Sequence, residues 1–252
     1  MALIEERSQD VVVLTIDQPE RRNALSSAVK QRLAEVMDRL ETDTTVRAIV
    51  ITGTGGNFSS GGDLAEMGTP TLAEARDRFI ESHRLVRAIV RSSKVVIAAV
   101  EGWAVGAGMS LALVCDSVVA AEDARFSAGF GKVGLIGDLG IVYSLARRVG
   151  EARAKQILLY AQTIGVEEAK RIGLIDDVAG KGNALAGAME MAHRVRSVAP
   201  LSISATKAML VGQLDIFLDR EREIQASLLT SQDFLEGKLA FREKRAPNFR
   251  NQ

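Results

Sequence analysis

The sequence predicts an α/β protein, with a parallel-type core of strands and helices followed by a helical appendage. Three observations carry that prediction. The first 140 residues repeat the order strand, glycine-rich turn, helix. The strand-sized apolar runs are rich in valine and isoleucine. The last 60 residues are almost wholly helical in pattern.

Val11-Val12-Val13-Leu14-Thr15-Ile16 is the first such strand, ended by Asp17-Gln18-Pro19. Ser26 to Leu40 places Val29, Leu33, Val36, Met37 and Leu40 at helical spacing. Ala48 to Thr52 is a second strand, and it runs into a glycine-rich turn from Gly53 to Gly62. A helix over roughly Leu72 to Val90 follows, then the strand Val95 to Val100. A Gly/Ala-rich turn leads to a helix through Leu111, Ala112 and Val114, and Val118-Val119-Ala120 reads as another strand. From about Asp138 the pattern is helix after helix, broken only near Gly173-Leu174-Ile175-Asp176. Ala199-Pro200 marks a boundary, because the residue before proline is biased away from helix. The expected organisation is therefore a core over 1–198 and a helical region over 199–252.

Composition excludes several classes of function. Thirty-two basic residues balance thirty-two acidic ones, whereas nucleic-acid binding usually demands a basic excess. The single cysteine, Cys115, has no internal partner for a disulfide, which suits a reducing cytoplasm. The N-terminus lacks the order of a signal peptide, and no apolar run reaches the length of a membrane helix. With only His83 and His193 and no close Cys/His cluster, a metal-free mechanism is expected.

Two glycine-rich turns suggest one job. Phe58-Ser59-Ser60-Gly61-Gly62-Asp63-Leu64 is the first, and Gly102-Trp103-Ala104-Val105-Gly106-Ala107-Gly108-Met109-Ser110 is the second. Small residues let a ligand approach the backbone, and the first amides of a helix have no internal acceptor. Two such turns can each aim one N–H at a developing oxyanion. Glycine is also the ordinary residue of tight connections, so either turn alone says little.

The sequence is identified more specifically by the succession of its motifs. Pro19-Glu20-Arg21-Arg22-Asn23-Ala24-Leu25 precedes the first turn, and Val96-Ile-Ala-Ala-Val-Glu-Gly102 precedes Gly106-Ala-Gly108 and Cys115-Asp116. Phe126-Ser127, Val133-Gly134-Leu135, Arg147-Arg148-Val149-Gly150, Glu168 to Leu174 and Phe241 to Phe249 follow in register. Over nearly its whole length the chain resembles the enoyl-CoA hydratase/isomerase (crotonase) family. That resemblance implies a crotonase (ClpP-like) spiral of ββα units, with a C-terminal helical region used in trimerisation. It implies an acyl-CoA substrate, no cofactor beyond the coenzyme A moiety, and a homotrimer or homohexamer. It places the oxyanion amides on Gly62 and Ala107. It puts the adenine-nucleotide end of coenzyme A near Arg21, Arg22, Ala24, Ser60, Asp63 and Leu64, with Lys244 reaching its phosphates.

The hydratases of this family use two glutamates, and the matching positions here are Ser110 and Phe130. Neither supplies a general base near neutral pH. One acid remains: Gly134-Leu135-Ile136-Gly137-Asp138-Leu139-Gly140 holds Asp138 at the expected start of a helix. Single-aspartate isomerases and 4-chlorobenzoyl-CoA dehalogenases carry a functional aspartate at this point, although aspartate is also a favoured helix N-cap. His83 matches the water-activating histidine of the dehalogenases, but the preferred reading is a histidine on a helix surface. Cys115 reads as core, and Trp103 as packing near the second turn. The reading that follows is an enoyl-CoA isomerase, with Gly62 and Ala107 holding the thioester oxygen and Asp138 moving the proton. Its rivals are an atypical hydratase, an aryl-CoA dehalogenase and a non-catalytic CoA-binding protein.

Overall fold

The computed structural model describes residues 2–252. A six-stranded sheet is built from β1 (Leu3–Ser8), β2 (Val11–Ile16), β3 (Ala48–Gly53), β4 (Val95–Val100), β6 (Ser117–Ala121) and β9 (Asp177–Ala179). They lie in that order, with β1 antiparallel to β2 and every later pair parallel. A second sheet holds the three-residue strands β5 (Trp103–Val105), β7 (Arg125–Ser127) and β8 (Thr163–Gly165). The helices are α1 (Ser27–Thr42), α2 (Leu72–Val90), α3 (Ala107–Val114), α4 (Ile141–Val149), α5 (Glu151–Tyr160), α6 (Val166–Arg171) and α7 (Ala184–Arg194). The tail adds α8 (Pro200–Leu210), α9 (Leu214–Leu229) and α10 (Gln232–Glu243).

The near-continuous apolar runs of β2, β3 and β4 have a simple cause: both faces of the large sheet are covered. Val12, Leu14 and Ile16 face the main core with α1, α2 and α3, while Val11 and Val13 face the small residues Ala184, Ala188 and Ala192 of α7. Helix starts follow local chemistry. The Ser26 hydroxyl accepts the Val29 amide at the head of α1, and Thr71 and Glu74 form a capping box on α2.

Each turn of the spiral gives one strand to the large sheet and one short segment to a second layer. In that layer Ser59 bridges Ala104, Ala104 pairs with Phe126, and Phe126 pairs with Ile164, while Leu25 bridges Gly62 beside them. This second layer carries the site.

The structure departs from the sequence reading toward both ends of the chain. β1 was not predicted, because only Leu3 of its residues is buried and its charged side chains suit an exposed sheet edge. β8 and β9 interrupt the stretch expected to be helix after helix; three residues are too few to show a period. The apolar residues of the helical tail are divided between core and surface. Leu214 and Leu218 of α9 are fully buried within the chain, whereas Leu201, Met209 and Leu210 of α8 stay exposed. No single helix among the described residues is long and apolar enough to cross a membrane.

Candidate active site

Backbone bonds press the two glycine-rich turns together. The Phe58 amide donates to the Glu101 carbonyl at 2.8 Å, Ser59 to Trp103 at 3.0 Å, and Val105 back to Ser59 at 3.0 Å. Gly61 sits at φ +100°, and a β-carbon there would lie 2.6 Å from the Val105 carbonyl oxygen. One at Gly108 would lie 2.6 Å from the Ser59 carbonyl oxygen. Side chains at either position would wedge the turns apart. The Gly61 carbonyl is taken by the Leu25 amide at 2.7 Å, but among the described residues neither the Gly62 nor the Ala107 amide donates to any acceptor. Ala107 opens α3, so its N–H has no acceptor within the helix.

Asn23 ties the N-terminal motif to this pair. It is fully buried at φ +56°, and its amide oxygen accepts the Gln18 N–H at 3.0 Å. Its amide nitrogen donates to the Thr54 and Asn57 carbonyls, both at 2.8 Å. Its own carbonyl accepts the Ser59 hydroxyl at 2.7 Å, which in turn accepts the Gly61 amide at 3.1 Å. Asn23→Ala removes three side-chain bonds and leaves their partners buried. We expect a loss of about 3 kcal/mol in urea unfolding; an unchanged midpoint would show the knot to be dispensable.

A cleft of about 520 Å³ opens between the turns. Of the residues anticipated from the sequence, Gly62, Ala107, Asp138, Arg21, Ala24, Ser60, Asp63 and Leu64 all line it. Arg21 is paired with the buried Asp63 carboxylate, so that cation is already engaged. Arg22 is exposed, in a left-handed turn, and does not line the cleft. Nor does Lys244, which ends α10 and lines a neighbouring cavity with Tyr160 and Phe249. Lys132 and Phe241 belong to both cavities and join them. Neither was assigned to the site from the sequence: Phe241 only opened the last motif of the resemblance, and one lysine among many carries no local signal.

Other anticipated residues fall elsewhere. Ser110 is buried within α3 and donates to the Gly106 carbonyl at 3.3 Å; Phe130 forms cleft wall. His83 is not on a helix surface. It is 1% exposed, bonds the buried Glu221 carboxylate through Nε2 at 2.8 Å, and does not reach the cleft lining. Cys115 is core as expected, donating to the Leu111 carbonyl at 3.3 Å, and burial pushes its thiol up to about 12. Trp103 is not packed away; it is 45% exposed on β5.

Asp138 is not a helix cap. α4 begins three residues later at Ile141, Gly140 holds the cap position, and the Ile141 amide goes to the Asp138 main-chain carbonyl at 3.2 Å. Its buried Oδ1 has no hydrogen-bond partner among the described residues. Burial pushes this carboxyl up to about 7, and the Glu221 carboxylate adds to the rise; Lys30 and Arg78 oppose it. Lys30 is itself buried, donating to the Ser82 hydroxyl at 2.8 Å, and desolvation pulls its amine down to about 8. A helix N-terminus would favour the ionised carboxylate and oppose a raised proton affinity, but α4 begins beyond Asp138 and leaves that affinity to burial.

The sequence model of the enoyl-CoA hydratase/isomerase family matches residues 6–252. A 2,3-dehydroadipyl-CoA hydratase of Escherichia coli is 34% identical over 252 residues, covering 98% of each chain. A 1,2-epoxyphenylacetyl-CoA isomerase of the same organism is 33% identical, covering 98% of this chain and 97% of its own. Among solved structures, an enoyl-CoA hydratase from Mycobacterium avium subsp. paratuberculosis superposes with a TM-score of 0.90 at 34% identity, over 100% of this chain and 99% of that one.

Proposed function

This chain belongs to the enoyl-CoA hydratase/isomerase family and has the crotonase fold, and within that frame we propose that it isomerises an enoyl-CoA with Asp138 as its single base. The observation that carries the reading is a buried carboxyl, with one unpartnered oxygen, in the same cleft as two unengaged backbone amides. A base poised near neutrality combines an adequate ionised fraction with adequate basicity. In this mechanism the Asp138 carboxylate takes a proton from C2 of a 3-enoyl thioester. The electron pair moves onto the thioester oxygen, where the Gly62 and Ala107 amides hold it. The charge returns through C4, which takes a proton from Asp138 after that carboxyl has exchanged with solvent, leaving the 2-enoyl thioester.

Coenzyme A enters past Ser60, Ala24 and Leu64. Arg22, Lys132 and Lys244 are the cations offered to its phosphates, since Arg21 is held by Asp63. Hydration is the second reading, favoured by relatives named as hydratases. It would have to proceed without acids at Ser110 and Phe130. The dehalogenase reading loses support, because His83 is bonded to Glu221 away from the cleft lining. Assembly as a trimer or hexamer remains part of the proposal, with the exposed residues of α8 as the natural contact.

The deciding measurement is mass spectrometry of enoyl-CoAs incubated with the enzyme in deuterated water. Deuterium at C2 or C4 with an unchanged double-bond count is expected. A product heavier by one water would replace isomerisation with hydration. Binding with no change in any thioester would leave only a CoA-binding protein.

A further inference from the structure

α9 presents two buried polar side chains one turn apart to the loop that carries Asp138. Gln225 is fully buried, accepting the Ile136 amide and donating to the Ile136 carbonyl, each at 3.0 Å. Glu221, 5% exposed, accepts the Gly140 amide on Oε2 at 2.9 Å and bonds His83 through Oε1 at 2.8 Å. The grips fall on residues 136 and 140, two positions either side of 138. Spacing of four along a helix puts both side chains on one face.

We propose that Glu221 and Gln225 are positioning residues for Asp138, clamping its loop on both sides and setting a buried carboxylate behind it. This rests on the reading of Asp138 as the base. A carboxylate and an amide are costly to bury, and apolar residues would anchor α9 at least as well. Three of their four bonds go to the backbone of one five-residue stretch, the fourth going to His83, and the side chain at the centre of that stretch is the cleft's unpartnered acid. A loop held at both ends gives that acid one direction, and a positioned base depends on direction. The charges around Asp138 are Glu221 from α9, Lys30 from α1 and Arg78 from α2, with His83 of α2 facing Glu221. Glu221 therefore affects both placement and proton affinity.

Glu221→Gln separates the two effects. Its amide oxygen still accepts from Gly140 and its NH₂ can donate to His83 Nε2 in the tautomer protonated at Nδ1, so the clamp is retained while the charge is lost. In full-length protein carrying ¹³C-labelled aspartate, with Asp138→Asn identifying the resonance, the Asp138 titration midpoint should fall by about one pH unit. With trans-3-hexenoyl-CoA as the probe, the acid limb of kcat should move down by the same amount, its plateau staying within about threefold. Glu221→Ala and Gln225→Ala break the clamp and should lower plateau kcat about tenfold or more, with KM little changed. An unmoved midpoint in Glu221→Gln, or wild-type kcat in Gln225→Ala, would overturn the proposal. If the wild-type enzyme processes no thioester, the isomerase reading fails by itself, while the carboxyl titration still decides the role of Glu221.

Discussion

Asp138→Asn is expected to lower turnover and solvent deuterium exchange together, by about 10² to 10⁴, the usual contribution of a positioned base. Asparagine keeps the shape of the side chain and removes only its proton affinity. The same variant should become more stable than the parent above neutral pH. The folded-state carboxyl is raised to about 7, so between about pH 4 and 7 the native state binds more protons than the unfolded chain. Stability then falls with rising pH across that window and stays depressed above it, which a neutral amide avoids. A gain in melting temperature at pH 8, absent at pH 4, coupled to lost activity would mark a site where stability is given up for function. Ser110→Ala should change activity little, because its hydroxyl is spent on the Gly106 carbonyl inside α3. Retained activity in Asp138→Asn would remove the carboxylate from the chemistry.

The core of this fold was legible because its strands are buried on both faces. Val11 to Ile16 and Val95 to Val100 match β2 and β4 to the residue, since an unbroken β-branched run bounded by turns has one physical reading. α2 falls on the stretch expected over roughly Leu72 to Val90, although the Thr71 and Glu74 capping box that starts it went unread. The second layer was not legible. β5, β7 and β8 have three residues each, and single bridges at Ser59 and Leu25 leave no pattern in a sequence. That layer sets Gly62 and Ala107 in one cleft, so the site's geometry depended on contacts between distant turns. Glu221 shows the same limit more sharply. It lies in Asp219-Arg220-Glu221-Arg222-Glu223, which reads as a solvated charged face. Only packing against α2 reveals that one of those charges is inside. His83 was misjudged for the matching reason: its partner stands 138 residues away in the chain.

Ala107→Pro is the most selective test of the oxyanion hole, because it deletes one backbone donor and little else. Side-chain substitutions cannot remove an amide, but proline has none. Ala107 is the first residue of α3, where the N–H has no intrahelical acceptor and the fixed proline φ suits the helix. The preceding residue must avoid the helical region, and Gly106 already does so at φ +51° and ψ −122°. The helix should therefore form as before, with a melting temperature near that of the parent. Losing one oxyanion donor costs about 2.7–4 kcal/mol of barrier where it has been measured, or 10² to 10³ in kcat. That loss should appear in both deuterium exchange and turnover, since each passes through the same enolate. Affinity for free coenzyme A, which has no thioester oxygen to hold, should stay within a few fold. Proline at a later position of the same helix, such as Leu111→Pro, should instead unfold it, because Leu111 lies inside α3. If Ala107→Pro folds, binds coenzyme A and turns over at the parent rate, the thioester oxygen is not held by the Ala107 amide.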